Sequence, residues 1–348
     1  GRDLRRSGRG SRVRGALGDG LTGGLTILAD PPPPPMPVGV SAGGGRLPVL
    51  IARSLSERGH VVHGLGLAKQ YDADLPALCD TFDEAPLLRL GAWAKRLKRR
   101  GVRHAIMVGR VDKSKLMHDP WRLVKNIPDA RTLSAWFRRL RHDKRSHAVL
   151  ATIAEELDRD GVSLIDSTAP IPHQLAATGV MTRTQPTLEQ AADIEFVWPL
   201  LTELLRLDVG QALTVKERDV LAVEAVEGTD RMIERSSGLC KCGGWTLCKG
   251  IRAGHDRRSD VPTVGVQTIQ NMHIAGGRCL ALAASDVIMV DREEMIELAD
   301  RLGVAIVGVP VGKLATPKSA GSAAQVTPAG GSSVGIKIPG PGVPTTTR

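Results

Sequence analysis

Pro37-Val-Gly-Val-Ser-Ala-Gly-Gly-Gly-Arg-Leu-Pro-Val-Leu-Ile-Ala-Arg-Ser-Leu-Ser-Glu-Arg-Gly59 reads as a strand, a glycine turn and a helix in immediate succession. Val38 and Val40 alternate along Pro37–Ala42, the two-residue period of an extended chain with one buried face. Three glycines then allow a tight reversal. Pro48 is tolerated only because it falls in the first helical turn. Leu50, Ile51 and Leu55 recur at helical spacing, and Gly59 supplies the stop. A second strand is expected over 61–65, and strand, helix, strand in this rhythm predicts a parallel sheet flanked by helices.

The same rhythm continues outward. A helix carries Trp93 and Leu97 and ends at Gly101, and His104–Val108 is a third strand ending in Gly109-Arg110. Helices rich in Arg and Leu are expected over about 120–160, with a short strand at 163–165. Pro170 and Pro172 break regular structure and mark a boundary over 167–173. Beyond it, helices are expected over 188–205, 231–238 and 292–302. Strands are expected over 211–215, 220–225, Thr246–Lys249, 280–283, 287–290 and Ala305–Val309.

The chain has 348 residues, enough for two domains. Aromatic residues make up only 3%, so Leu, Val, Ile and Ala must fill the cores. No window approaches the roughly 20 apolar residues that a membrane helix needs. Residues 1–35, Arg-, Gly-, Ser- and Pro-rich, and 311–348, Gly-, Pro-, Ser- and Thr-rich, are expected to be disordered. Met36 reads as a natural start, with the segment before it an extension. The net charge is +10, but residues 89–145 alone carry 18 basic and 4 acidic side chains. Such a block suits phosphates, an anionic membrane or nucleic acid, or is simply a solvated helical face. Five cysteines without a secretory signal point to reduced thiols in the cytosol. Cys240, Cys242 and Cys248 form C-x-C-x5-C, which lacks the paired spacing of a structural zinc site.

Three segments could carry chemistry. Gly43-Gly44-Gly45, with the following helix N-terminus, either forms a nest for anionic oxygen or is a turn without function. It is neither a dinucleotide fingerprint nor a Walker loop, since both the spacing and the lysine are wrong. Glu227-Gly-Thr-Asp230 sits at a strand end. It either holds a hard cation or caps the next helix through Thr229 or Asp230. Third, Lys249-Gly-Ile-Arg252-Ala-Gly-His-Asp256-Arg257-Arg258-Ser-Asp260 mixes cations with carboxylates. Diphosphate cleavage needs that mixture, because cations spread the charge of the transferring phosphoryl group while a carboxylate orients water or holds a metal. Gly254 and Pro262 bracket the acids, so a loop is expected, and a merely charged surface loop is the plain reading. The isolated histidines lack metal spacing, and no serine-hydrolase elbow is present.

Taken in order, these segments resemble the LpxI family of UDP-2,3-diacylglucosamine pyrophosphatases. Ala42-Gly-Gly-Gly-Arg-Leu-Pro48 is similar to the family's opening, and Val108-Gly-Arg-Val111 to its glycine-arginine strand end. Asp166-Ser-Thr168 and Gly179-Val-Met-Thr-Arg183 resemble its inter-domain region. Asp208-Val-Gly-Gln211, Val223-Glu-Ala-Val-Glu-Gly-Thr-Asp230, Asp260-Val-Pro-Thr-Val-Gly265 and Ala275-Gly-Gly-Arg278 resemble its second domain. The similarity runs collinearly over about 36–310.

The resemblance implies an α/β fold of two domains. The first is a Rossmann-like parallel sheet with helices over 36–168, and the second a mixed α/β catalytic domain over 169–310. It implies hydrolysis of UDP-2,3-diacylglucosamine to UMP and 2,3-diacylglucosamine 1-phosphate, a step in making lipid A, with a divalent metal such as Mg²⁺. Asp260 is then the catalytic aspartate, assisted by Lys249 and Arg252. Asp230, Asp256 and Asp260 are the metal ligands. Substrate contacts fall on Gly43, Gly44, Gly45, Arg46, Gly109, Arg110, Thr229 and Arg257. A cytoplasmic protein touching the inner face of the inner membrane transiently is expected, with room for a homodimer and no nucleic-acid partner. Arg252-Ala-Gly-His-Asp256 departs from the family's Lys-Pro-Gly-Gln-Asp, and Ser146-His147 replaces an Asn-Asp pair. The competing reading is a nucleotide-binding or nucleic-acid-binding module without catalysis. A nicotinamide-dependent oxidoreductase lacks its glycine fingerprint.

Overall fold

The computed structural model describes residues 30–67, 70–110, 128–141, 146–258 and 261–310, apart from the side chains of 139–140 and 146–147. The described residues belong to one compact unit. Its first half is a five-stranded sheet of β1 (Pro37–Ala42), β2 (Val61–Leu67), β3 (Thr81–Ala85), β4 (His104–Val108) and β5 (Ser163–Leu164). The order is β3-β2-β1-β4-β5 and every pair is parallel. Helix α1 (Leu47–Glu57) covers one face, packing Val49, Ile51 and Leu55 on Val38, Val40, Val62 and Ile106. Helices α2 (Leu90–Arg99) and α4 (Ser146–Asp158) cover the other, packing Trp93, Leu97, Ala154 and Leu157 on Leu65 and Ala105. A short α3 (Ala130–Ala135) joins them, capped by Asp129, whose carboxylate accepts from the Thr132 amide. Full burial of a side chain such as Leu55 stabilises the fold by about 1.5–3 kcal/mol. Gly39 makes the second layer close: a Cβ there would lie 2.9 Å from Leu97 Cδ2.

Strand order reverses beside β1, whose neighbours are β2 and β4. In open parallel sheets the crevice at such a reversal, beyond the carboxyl ends of the strands, is where ligands bind. Here those ends are Ala42 and Val108, each running into glycine.

The second half is a mixed sheet ordered β6-β13-β11-β9-β7-β8. These strands are β6 (Gly179–Val180), β7 (Ala212–Lys216), β8 (Asp219–Val223), β9 (Thr246–Lys249), β11 (Cys279–Ala283) and β13 (Ala305–Val309). β9, β11 and β13 are parallel; β6, β7 and β8 run antiparallel to their neighbours. Its helices are α5 (Leu188–Arg206), α6 (Thr229–Leu239), α7 (Val266–Ile274) and α8 (Arg292–Leu302). β10 (Thr263–Gly265) and β12 (Ile288–Val290) pair separately, in parallel. Ile288 of β12 is buried with Val38, Ile51 and Ile171, so the second half closes the core of the first. Polar ties reinforce this junction: Ser167 donates through its amide and its hydroxyl to the Arg257 carbonyl, at 3.0 and 2.9 Å. The Arg292 amide donates to Gln174 Oε1 at 3.1 Å.

Four elements were not expected, among them the two-residue β6. β3 is an edge strand carrying Asp83 and Glu84, which pair with Arg100 and Tyr71, so its acids hide its strand character. β10 and α7 follow the loop of the third candidate segment, and α7 buries only Ile269 and Met272.

Candidate functional site

The two glycine loops at the sheet reversal are stitched together. The Gly43 amide donates to the Val108 carbonyl at 2.9 Å, and Gly44 and Arg110 exchange amide-to-carbonyl bonds at 2.8 Å each. The amides of Gly43 and Gly44 are thus already engaged. What the glycine segment offers a ligand begins at Gly45, with φ +100° in open space, and at the start of α1.

Above this seam lies a cavity of about 1320 Å³. That exceeds the ~300–1,000 Å³ of ordinary small-molecule pockets. Three helices start on its wall: α1 at Arg46 and Leu47, α6 at Gly228, Thr229 and Asp230, and α7 at Gly265, Gln267 and Thr268. Among the described residues no side chain caps the first amides of α1 or α6, whereas at α7 the Thr268 hydroxyl accepts from the Gly265 amide at 3.3 Å, and α5, away from the cavity, has a full capping box of Thr187 and Gln190. Uncapped helix N-termini carry unsatisfied N–H groups and about half a positive charge each, an arrangement that favours anions.

Lys249 closes β9, is 6% exposed, and donates from Nζ to Thr229 Oγ1 at 2.8 Å. Thr229 in turn donates its hydroxyl proton to Glu224 Oε1 at 2.9 Å. Glu224 Oε2 is buried and has no hydrogen-bond partner among the described residues. Asp230 accepts from Asn271 Nδ2 at 3.1 Å, and Glu227 is held by Arg235 at 2.8 Å. Arg46 is shared between Asp74 at 3.3 Å and Asp291 at 3.9 Å, exposed pairs that a phosphate can displace at little cost.

The cavity therefore brings together Gly44, Gly45, Arg46, Gly109, Arg110, Thr229, Asp230 and Lys249 from the sequence-derived candidates. Gly43 lies behind the seam. Arg252 is exposed on its loop and does not line the cavity. Asp256 also lies off the cavity and is gripped by Arg258, whose Nε reaches both carboxylate oxygens at 2.9 Å. Burial would raise the Asp256 pKa, but the Arg258 hydrogen bonds outweigh it and hold the carboxyl below its usual range. Arg257 is spent on Asp286 and the Ser285 carbonyl. Asp260 is outside the described residues, although its neighbour Val261 lines the cavity. Of the basic block at 89–145, Arg110 alone among the described residues lines the cavity. Glu224 and Gln211 fell inside motifs of the resemblance but were given no role from sequence. The one available signal was an acid closing an apolar strand run at Val223-Glu224.

Among the described residues no group of three or more His, Cys, Asp or Glu is placed to hold a metal. The cavity lining does carry carboxylate oxygens, the ligand type that a hard cation takes. It sets Arg46, Arg110 and Lys249 against Asp72, Glu224, Glu227 and Asp230, a formal excess of negative charge, and Glu224 Oε2 has no donor among the described residues.

An α/β protein with a large, charge-lined cavity at its strand reversal is the class that fold and site define, and the chain belongs to the LpxI family. The LpxI N-terminal domain matches residues 37–174 and the LpxI C-terminal domain residues 177–307. A relative named UDP-2,3-diacylglucosamine pyrophosphatase LpxI, from Caulobacter vibrioides, is 31% identical over 284 residues, spanning 78% of this chain and 97% of the relative.

Proposed function

We propose that this chain hydrolyses the diphosphate of UDP-2,3-diacylglucosamine, releasing UMP and 2,3-diacylglucosamine 1-phosphate for lipid A synthesis. The observation that carries this reading is the convergence of three helix N-termini, those of α1 and α6 without a side-chain cap among the described residues, with Lys249, Arg46 and Arg110 on one cavity, in a chain of this family. Fixed dipoles and cations aimed at one place stabilise charge that builds on phosphoryl oxygens, without reorganising during the reaction. Lys249, held by Thr229, supplies the buried cation. Arg46, released from its exposed acid partners, clamps the second phosphate. Asp260, one residue before the cavity-lining Val261, takes the proton of the attacking water. Leu47, Met107, Leu150 and Val290 give the cavity an apolar side against which acyl chains can lie.

Glu224 Oε2, Asp230 and Asp260 would hold a magnesium ion, while Asp256, bound to Arg258, would not. When bound, the ion neutralises diphosphate charge and makes a nucleophile of water near neutral pH.

No described helix is long and apolar enough to cross a membrane. Contact with a bilayer surface falls instead to Leu133, Trp136 and Phe137, exposed at 47%, 43% and 58% on α3 and the turn after it. Thr132 of α3 binds the first amide of α2, so this patch sits at the carboxyl end of the parallel sheet, the end at which the cavity lies. Trp at a membrane interface is favoured because the ring is apolar and its N–H polar.

The test is release of UMP from UDP-2,3-diacylglucosamine by the purified chain with Mg²⁺. Production of UMP that stops in EDTA is expected; an inert protein would remove the reaction from consideration.

A further inference from the structure

We infer that Glu224 is a positioning residue that aims the Lys249 ammonium at the diphosphate through the Thr229 hydroxyl. The argument starts from the single proton of that hydroxyl. Thr229 Oγ1 gives it to Glu224 Oε1 at 2.9 Å, so only a lone pair faces Lys249, whose Nζ donates to it at 2.8 Å. The chain of bonds therefore has one direction, from ammonium to hydroxyl to carboxylate. That bond fixes the direction of one Lys249 N–H. Thr229 itself has no hydroxyl proton left for substrate and acts only as the link.

Glu224 is well built for this task. It is 9% exposed, and its amide is pinned to the Ala212 carbonyl at 2.9 Å. Gly210 runs so close beneath it that a Cβ there would lie 1.9 Å from the Glu224 carbonyl oxygen. Thr229 is the first residue of α6, fixed by the helix start. All three members line the cavity. A buried carboxylate with one orphaned oxygen works against stability, so packing alone gives no account of Glu224 at this place. Lysine is a flexible point charge, and a cation that must meet one P–O–P linkage needs such an anchor.

The inference rests on the diphosphate reading of the cavity. Its test is titration calorimetry of UDP into the full chain in EDTA, which removes any contribution of Glu224 through a cation. Loss of the charge-assisted bond weakens UDP binding roughly fivefold or more in Glu224→Gln, and likewise in Thr229→Val. Thr229→Ser, which keeps the hydroxyl, restores wild-type affinity. The Glu224→Gln/Thr229→Val double variant loses no more than the weaker-binding single one, because both cut the same chain. Charge alone predicts the opposite sign: removing a carboxylate from an anion site tightens binding. Equal or tighter binding by Glu224→Gln, additive losses, or a wild-type chain that binds no UDP would each overturn the inference. UMP release measured on the same proteins separates it from the proposed reaction, since the binding pattern without turnover refutes the hydrolysis and leaves the role of Glu224 standing.

Discussion

Gly43 and Gly109 meet backbone to backbone: a Cβ on Gly109 would lie 2.7 Å from the Gly43 carbonyl carbon, and one on Gly43 the same distance from the Arg110 carbonyl oxygen. The contact closes the floor of the cavity. Gly109 also has φ +97°. Gly109→Ala is therefore expected to cost at least about 1–3 kcal/mol from backbone strain alone, plus the clash. Gly45 has a similar φ but open space around it, so Gly45→Ala carries the strain only. Urea unfolding of both variants checks this, and a Gly45→Ala protein less stable than Gly109→Ala contradicts the seam.

The carboxylates divide by place. Asp260→Ala is expected to lower UMP release by about 10²-fold or more, the usual cost of losing an acid–base participant. Asp230→Asn is expected to raise the Mg²⁺ concentration needed for half-maximal rate. Asp256→Asn should change neither by more than about twofold, because its carboxylate serves Arg258 and lies off the cavity. Rate against metal concentration for the three variants decides it; an Asp256→Asn enzyme starved of metal would return that residue to the site.

Asp256 carries a pH signature of its own. Its folded pKa is depressed below the unfolded value, so the stability it contributes is present above the ordinary carboxylate pKa and fades as the pH falls through the folded one. The pair is partly exposed, which keeps that contribution under about 1 kcal/mol. Denaturation midpoints of wild type and Asp256→Asn should differ at pH 7, above the unfolded pKa near 3.9, and converge once the pH has fallen through the folded one. A gap that widens on acidification would show that the sign is wrong.

Thiol chemistry should single out one cysteine. Burial pushes Cys79 up to about 11 and Cys279 up to about 12, and raises Cys248 well above its ordinary value. Cys240 is raised by burial and by Cys242, whose sulfur is 3.3 Å away. Cys242 is exposed. At pH 8, Ellman's reagent is expected to react quickly only through Cys242, because thiolate and access are both required. Cys242→Ser should abolish the fast phase; persistence of that phase would mean another thiol is open.

The patch of Leu133, Trp136 and Phe137 predicts binding to lipid. Trp136→Ser/Phe137→Ser is expected to reduce co-sedimentation with vesicles of mixed phosphatidylglycerol and phosphatidylethanolamine severalfold, while leaving UDP affinity unchanged. Undiminished sedimentation would move the membrane contact elsewhere.

Much of the framework was legible because its signals are local. β1, β4, β9, α8 and β13 have the bounds expected from alternation, helical spacing and glycine stops. β3 was not legible, since Asp83 and Glu84 belong to an edge where acids find partners on neighbouring elements. α7 was not, because Gly265 and two buried residues announce a helix too weakly. The basic block at 89–145 suggested a phosphate site; its described members other than Arg110 lie away from the cavity, and Arg131 is consumed by Glu156 and Asp160.

From sequence alone came the α/β class, the two halves, the glycine loops at β1 and β4 and the family, because periodicity and motif order survive without a third dimension. Tertiary structure alone decided which charges face one another. Glu224, Thr229 and Lys249 meet only once β8, α6 and β9 are stacked, and Asp256, four residues from Asp260, is turned aside by the arginine two positions after it. Hydrogen bonds and charges act over a few ångströms of space, and separation along the chain says little about that distance.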